Sequence, residues 1–257
     1  MKKQLSVLGS AVALAMSASP AFAYQCEGAG CTPTYEFQCY GSYCDSSGNY
    51  GFIEQYGDYN TATIDQVTRE ATTGVDYYRT NYAAAYEGYS SSYNGSHISQ
   101  VGSNNTASSS QLGMHNGSYI GQYGHYNNAT VLQEGENNGS TVVQTGIGGT
   151  VNVSQFGDSN VSDVEQSGWG NTADVMQLGY NNSATVVQEG GEYNSADIVQ
   201  MGNNHTAEID QYYAYGSDAT IRQFCDSNMA FIGQALGSNI ATVNQSDYYN
   251  QATVLQA

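Results

Sequence analysis

The chain has almost no proline and almost no positive charge. Only Pro20 and Pro33 occur in its 257 residues, and both precede the region that repeats. Beyond them every backbone N–H is available to a sheet ladder. Lysine and arginine together number 5 against 23 acids, a formal charge of −18. Such a surface argues against nucleic acid as a partner, because phosphates need Lys and Arg, and against docking on anionic lipid. It also keeps copies of the chain apart in solution by self-repulsion. Tryptophan occurs once, and no run of about 18 apolar residues exists, so insertion into a membrane is not expected.

The N-terminus reads as a removable leader. Lys2 and Lys3 precede a short apolar run from Leu5 to Met16, and Ala21-Phe22-Ala23 matches a small-x-small cleavage site. Residues 1–23 are therefore expected to be a secretory signal peptide, which makes the mature chain an exported one. Its loss removes both lysines and no acid, leaving Arg69, Arg79 and Arg222 as the cations.

What the chain has in abundance is glycine (30), tyrosine (23) and a period. Glutamine recurs every eleven residues at Gln100, Gln111, Gln122, Gln133, Gln144, Gln155, Gln166, Gln177 and Gln188. The series continues, with one-residue slips, through Gln200, Gln211, Gln223, Gln234, Gln245 and Gln256, and an earlier copy joins Gln55 to Gln66. A fixed internal period means a stacked architecture whose function lies in the stack. Residues 24–50 are Gly-, Tyr- and Cys-rich without the period. Residues 51–99 hold one good repeat and a Tyr-rich stretch in which Tyr78 and Tyr89 occupy glutamine spacing, as in degenerate rungs. Residues 100–257 are an unbroken array, running to the last residue without a polar cap.

The units align as Q-x-G-x-x-N-x-A-x-φ-x, with a small residue, a β-branched residue and glutamine at spacing two. Gln122 to Gln133, for example, reads QYGHYNNATVLQ. Spacing two puts all three on one face of a short strand, while Thr130 and Leu132 face the other way. Gly57, Asn60, Gly124, Asn127, Gly179 and Asn182 bracket the turns, because both residue types tolerate left-handed backbone angles. The slips predict one-residue insertions in the turns. Each unit is thus a strand and a tight arc, and two units close a rung of about 22 residues. An eleven-residue period also fits three helical turns. A glycine in nearly every unit, at about 1 kcal/mol each, and the excess of Val, Ile, Thr and Tyr rule that out. The expected fold is an all-β solenoid with an amyloid-like cross-β stack.

Stacked rungs bury each β-branched residue between its copies, and each glutamine amide can then donate to the glutamine of the next rung. The seventeen glutamines are the expected stacking ladder, and an unprotected end rung is an edge that accepts another copy. Head-to-tail polymerisation is the favoured reading and a monomeric solenoid adhesin its rival. Acids placed irregularly on outward faces look like gatekeepers that slow assembly.

No catalytic, cofactor-binding or metal-binding set is expected. His97, His115, His125 and His205 are scattered, and their expected place is the surface; His115 and His125 fall in turns. The acids keep no fixed column, unlike a calcium solenoid, and the outward positions mix Thr63, Asp65, Leu132, Met176 and Arg222, unlike a regular ice-binding face. Cys26, Cys31, Cys39 and Cys44 form a C-x4-C-x7-C-x4-C cluster. In an exported chain two disulfides are the leading reading, in any of three pairings, with a zinc site as the alternative. Cys225 has no evident partner.

The repeat resembles that of curlins, the subunits of bacterial curli amyloid fibres, whose units follow S-x5-Q-x-G-x2-N-x-A-x3-Q. Its second half stands as Gln55-x-Gly57-x2-Asn60-x-Ala62-x3-Gln66 and recurs from Gln122, Gln166 and Gln177, over about two thirds of the chain. The resemblance implies a secreted fibre subunit for surface adhesion and biofilm matrix. It implies three partners: other copies of itself, a nucleator subunit and an outer-membrane export pore. Residues 24–50 hold the place of the family's export-targeting segment. The family's Ser position is mostly Asn here (Asn105, Asn116, Asn127, Asn138, Asn160), so successive half-repeats are nearly equivalent. The acidic, regular last unit resembles the major, fibre-forming subunit more than the basic minor nucleator.

Overall fold

The computed structural model describes residues 21–26, 50–56, 61–67, 85–86 and 94–257. Strands joined by short bends make up these residues, with no helix among them. Ten strands form one sheet and nine form a second. From Gly95 the chain alternates between them: Gly95–Ser103 in the first, Thr106–Met114 in the second, Gly117–His125 in the first, Asn128–Glu136 in the second. The alternation continues to Ile240–Ser246 and Gln251–Gln256. Neighbouring strands pair in parallel and in register, with Gln100 opposite Gln122, Gln122 opposite Gln144, Gln111 opposite Gln133 and Gln133 opposite Gln155. The molecule is a β-solenoid of about seven coils beyond Gly95, each of 22 or 23 residues.

Alternation along each strand explains where the core sits. In Asn128–Glu136 the side chains of Ala129, Val131 and Gln133 are buried while Asn128 and Thr130 are exposed. Repeated in register, this gives columns. Ile98, Ile120, Val142, Val164, Val186, Ile209 and Ile232 stack in the first sheet and face Val131, Val153, Val175, Ile198 and Ile221 of the second. Each such side chain contributes roughly 1.5–3 kcal/mol by leaving water. Ser109 stands in the second-sheet column between Ile64 and Val131 and is also buried.

The glycine after each glutamine has a reason beyond turn propensity. Gly135 lies at φ 128°, and a Cβ built there would sit 2.0 Å from the carbonyl oxygen of Gly157 in the next coil. A side chain added at Gly135 would push these two coils apart.

Three features differ from the sequence-based expectation. Asparagine five places after glutamine does not take the left-handed angle. The residue before it does, as at His115 (φ 56°), Tyr126 (φ 59°), Asn137 (φ 58°) and Asn181 (φ 56°). The asparagine itself points inward and is buried, which is the conformation the arc needs to place its amide between coils. Gly57 and Asn60 lie outside the described residues.

The first extra residue in the glutamine series is not a turn insertion. Gln166 pairs with Gln188 but Gly168 pairs with Gly191, so the added residue forms a bulge beside the glutamine at Gly190 (φ 67°). A bulge absorbs one residue without moving the arc.

Coils on either side of the Tyr-rich stretch are direct neighbours. Tyr50–Tyr56 pairs with Gly95–Ser103, and Thr61–Val67 with Thr106–Met114, which puts Gln55 opposite Gln100 and Gln66 opposite Gln111. The expected degenerate rungs therefore do not stand between them, although Ala85–Tyr86 pairs with Gln66–Val67 on the other side. Tyr78 and Tyr89 lie outside the described residues. Ala21–Cys26 pairs with Tyr50–Tyr56 and sets Gln25 opposite Gln55. This strand spans the expected cleavage point after Ala23.

Candidate functional site

The columns of inward amides are the most regular chemical feature of the molecule. In the first sheet, Gln55 donates through Nε2 to Oε1 of Gln100 at 2.5 Å. Gln100 donates to Gln122, Gln122 to Gln144, Gln144 to Gln166, Gln166 to Gln188, Gln188 to Gln211, Gln211 to Gln234 and Gln234 to Gln256 at 2.6–3.0 Å. In the second sheet the chain of donation runs Gln111, Gln133, Gln155, Gln177, Gln200, Gln223, Gln245 at 2.8–3.0 Å. The backbone of Gln66 is in register with this column.

A second bond fixes the direction of each amide from Gln100 to Gln256. Gln122 Nε2 also donates to the carbonyl of Thr106 at 2.9 Å, Gln133 to Gly117 at 2.9 Å and Gln177 to Val161 at 2.9 Å, in each case across to the opposite sheet. An atom facing a carbonyl oxygen must be the nitrogen, so the amides cannot be turned over. Both amide protons and the oxygen are satisfied. Burial of an otherwise costly group becomes tolerable. The ladders are also polar: donors face the C-terminal coils and acceptors the N-terminal ones.

Asparagine forms a further pair of ladders at the arcs, which the sequence reading assigned to turns. Asn94 Oδ1 accepts the backbone N–H of Asn116, Asn116 that of Asn138, Asn138 that of Asn160 and Asn160 that of Asn182, at 2.9–3.1 Å. Most Nδ2 groups donate to a carbonyl in the next coil, as Asn116 does to Gly135 at 3.0 Å and Asn127 to Gly146 at 3.0 Å. Asn171, Asn228 and Asn239 instead donate to Ser167, Phe224 and Ala235 of their own coil. Backbone bonds join the arcs from coil to coil on either side of the asparagine, as Asn137 N–H to Met114 and Gly117 N–H to Asn138. The asparagine side chain supplies the partner for the one N–H they leave over. The signal was present in the sequence. A position that only needs a left-handed angle accepts Gly, Asn or Asp, whereas this one is almost always Asn.

Histidines differ from one another. His115 and His125 are exposed on the arcs. His205 is buried at 1% exposure and replaces asparagine in the ladder, contrary to the surface placement expected for it. His97 lies between Phe52 and Tyr119 on the outer face in edge-to-face contacts, with ring centroids 4.9 and 5.3 Å away. Burial lowers its pKa, against the pull of Glu54. The Tyr119 hydroxyl contacts that of Tyr123 at 3.3 Å, and that bond with burial pushes its pKa to about 12.

Outward acids are mostly exposed, including Asp163, Glu165 and Glu208. Asp210 is half-buried, and burial together with the Glu208 charge raises its pKa to about 6. Arg222 makes an exposed ion pair with Asp197 at 3.3 Å. Cys225 is free and exposed; Cys31, Cys39 and Cys44 lie outside the described residues, as does the side chain of Cys26. No group of three or more His, Cys, Asp or Glu among the described residues has the arrangement of a metal site. No helix among them is long and apolar enough to cross a membrane.

The arrangement is suited to templating. From Gln100 onward each coil presents to the next the same glutamine donors and acceptors beside an almost unbroken apolar column. Segments 94–124, 120–146, 148–179, 168–192, 179–212 and 191–224 match the model of the curlin associated repeat. No curated protein matches the chain.

Proposed function

We propose that this chain, which belongs to the curlin family, is an exported subunit that stacks head to tail into extracellular curli-like fibres for surface adhesion and biofilm matrix. Curlin repeats are those of curli fibre subunits, and the family implies self-assembly into fibres. Family and fold together are those of a structural protein rather than an enzyme. The finer reading is carried by one observation: both glutamine ladders are directional and fully satisfied within the stack. A coil of one copy placed on a coil of another, in the same direction, repeats a contact the chain already makes with itself. Reversing the direction would set donor against donor.

In this reading residues 1–23 are the leader, the major fibre-forming role is favoured, and a nucleator subunit and an outer-membrane pore act as partners. Fibre diffraction of the purified chain left in buffer tests the core of it. Reflections near 4.7 Å along the axis and ~10 Å across it are expected. A persistently soluble monomer would instead favour a solenoid adhesin.

A further inference from the structure

His205 takes the place of asparagine in an otherwise amide-built column. On its lower side it is an ordinary member, since its backbone N–H donates to Asn182 Oδ1 at 3.0 Å. On its upper side the backbone N–H of Asn228 donates to His205 Nδ1 at 3.2 Å, where an asparagine oxygen would otherwise accept. The column then resumes, with Asn250 N–H donating to Asn228 Oδ1 at 2.9 Å. An amide oxygen accepts at any pH in the physiological range. An imidazole nitrogen accepts only while it carries no proton, so this bond fixes the proton of a neutral ring on Nε2. Nε2 is buried and makes no well-formed hydrogen bond, although the backbone carbonyls of Met201 and Cys225 lie close to the ring.

We propose that His205 is an acid-labile joint in the asparagine ladder: neutral, it accepts the Asn228 N–H of the coil above, and protonated, it releases that bond while the flanking backbone bonds Ser227 N–H to Asn203 and Thr206 N–H to Asn228 stay in place. Protonation sets the Nδ1 proton against the Asn228 N–H, turning one bond into a donor–donor contact inside the stack. The surroundings favour the neutral ring. Burial lowers its pKa, outweighing the carbonyls of Met201 and Cys225 and the carboxylate of Asp226 in the coil above. The coil beneath presents the neutral Asn182, and Glu208 in the same coil is exposed on the outer face. Because the folded-state pKa lies below the ordinary value of about 6.5, the contribution of His205 is present above that value and lost as pH falls beneath it.

A neighbouring irregularity concentrates the effect. Cys225 occupies the glycine column at φ 71°, a left-handed angle that costs a side-chain-bearing residue about 1–3 kcal/mol. It lies opposite Gly202 in the coil of His205. The joint is thus placed where the stack already departs from its repeat.

Amide-resolved hydrogen exchange on the purified chain tests this within one molecule, whether or not the chain is in fibres. Protection of the Asn228 amide, corrected for intrinsic exchange, is expected to fall about tenfold between pH 7.5 and 5.0. The Asn250 amide, bonded to an asparagine oxygen, is expected to change less than twofold over the same range. His205→Asn should make the two amides behave alike. His205→Ala should leave Asn228 weakly protected at every pH. Parallel behaviour of the two amides in the unmodified chain, or a pH response that survives His205→Asn, would overturn the proposal. So would ring nitrogen shifts placing the neutral proton on Nδ1.

Discussion

The N-terminal and C-terminal coils of the array are imperfect in opposite ways. From Asn94 to Ser162 the first-sheet small column is Ser96, Ser118, Ser140 and Ser162. All four hydroxyls are buried without a partner, as is that of Ser109. The asparagine ladders in the same coils run unbroken but for Gly149, whose N–H still bonds to Asn127 Oδ1. From Ala184 onward the small column is Ala184, Ala207, Ala230 and Ala252, which leaves no polar atom to satisfy. There it is the polar columns that depart from the repeat. His205 and Ser217 replace asparagine, and Ala214 and Cys225 replace glycine. The first half has good arcs over a flawed core, and the second a good core between flawed arcs. A stack tolerates either fault because each coil touches only its two neighbours, so a local cost does not propagate.

That contrast can be broken most severely where both halves depend on the same contact. Gly135→Ala should destabilise the stack by about 3 kcal/mol or more, since the added Cβ meets the Gly157 carbonyl and the angle is strained. Denaturant midpoints measure it, and a loss under about 1 kcal/mol would mean that coils can separate to admit a methyl group. Gln122→Ala comes next, at roughly 2–4 kcal/mol, because it strands a proton of Gln100 and the oxygen of Gln144. It should also weaken seeding, whereas Thr130→Ala on the outer face should stay within about 0.5 kcal/mol. Equal seeding kinetics for the two variants would remove the ladder as the source of affinity.

Smaller changes separate the halves themselves. Ser118→Ala should stabilise by about 1 kcal/mol and Ala207→Ser destabilise by a similar amount, since one removes and the other creates an unpartnered buried hydroxyl. Matching signs for the pair would show that the serine column finds partners in solution. The smallest expected effect is electrostatic. Asp210 has a folded-state pKa near 6, above its ordinary value, so its burden is absent at low pH and grows as pH rises through about 6. Asp210→Asn should flatten the stability profile between pH 4 and 7 and leave the acid-side loss at His205 in place. An unchanged profile would mean that the carboxylate is solvated. The two groups lie in neighbouring parts of the chain and respond to acid with opposite sign.

Legibility followed the number of roles a residue type can fill. Glutamine at a fixed period between β-branched residues has no use on a turn, and the inward column followed from spacing alone. Asparagine is common in turns, and its burial was masked by that familiar use. Strand periodicity gave the alternation at Ala129, Val131 and Gln133, but a one-residue slip in sequence fits a bulge and a longer arc equally well. Only pairing at Gly168 and Gly191 distinguishes them. Likewise the 34-residue interval between Gln66 and Gln100 is compatible with intervening rungs, and the direct contact of Gln55 with Gln100 excludes them.

By itself, then, the sequence determined an all-strand stack with coils of two units, the inward columns, and a strong excess of acidic over basic residues. Those properties follow from period, residue shape and charge, which act locally. Tertiary structure decided the direction of the amide ladders, the inward turn of asparagine, the unpaired serine hydroxyls and the place of His205 within a hydrogen-bonded column. Each depends on which atom of the next coil lies above a given side chain, and no spacing along the chain records that.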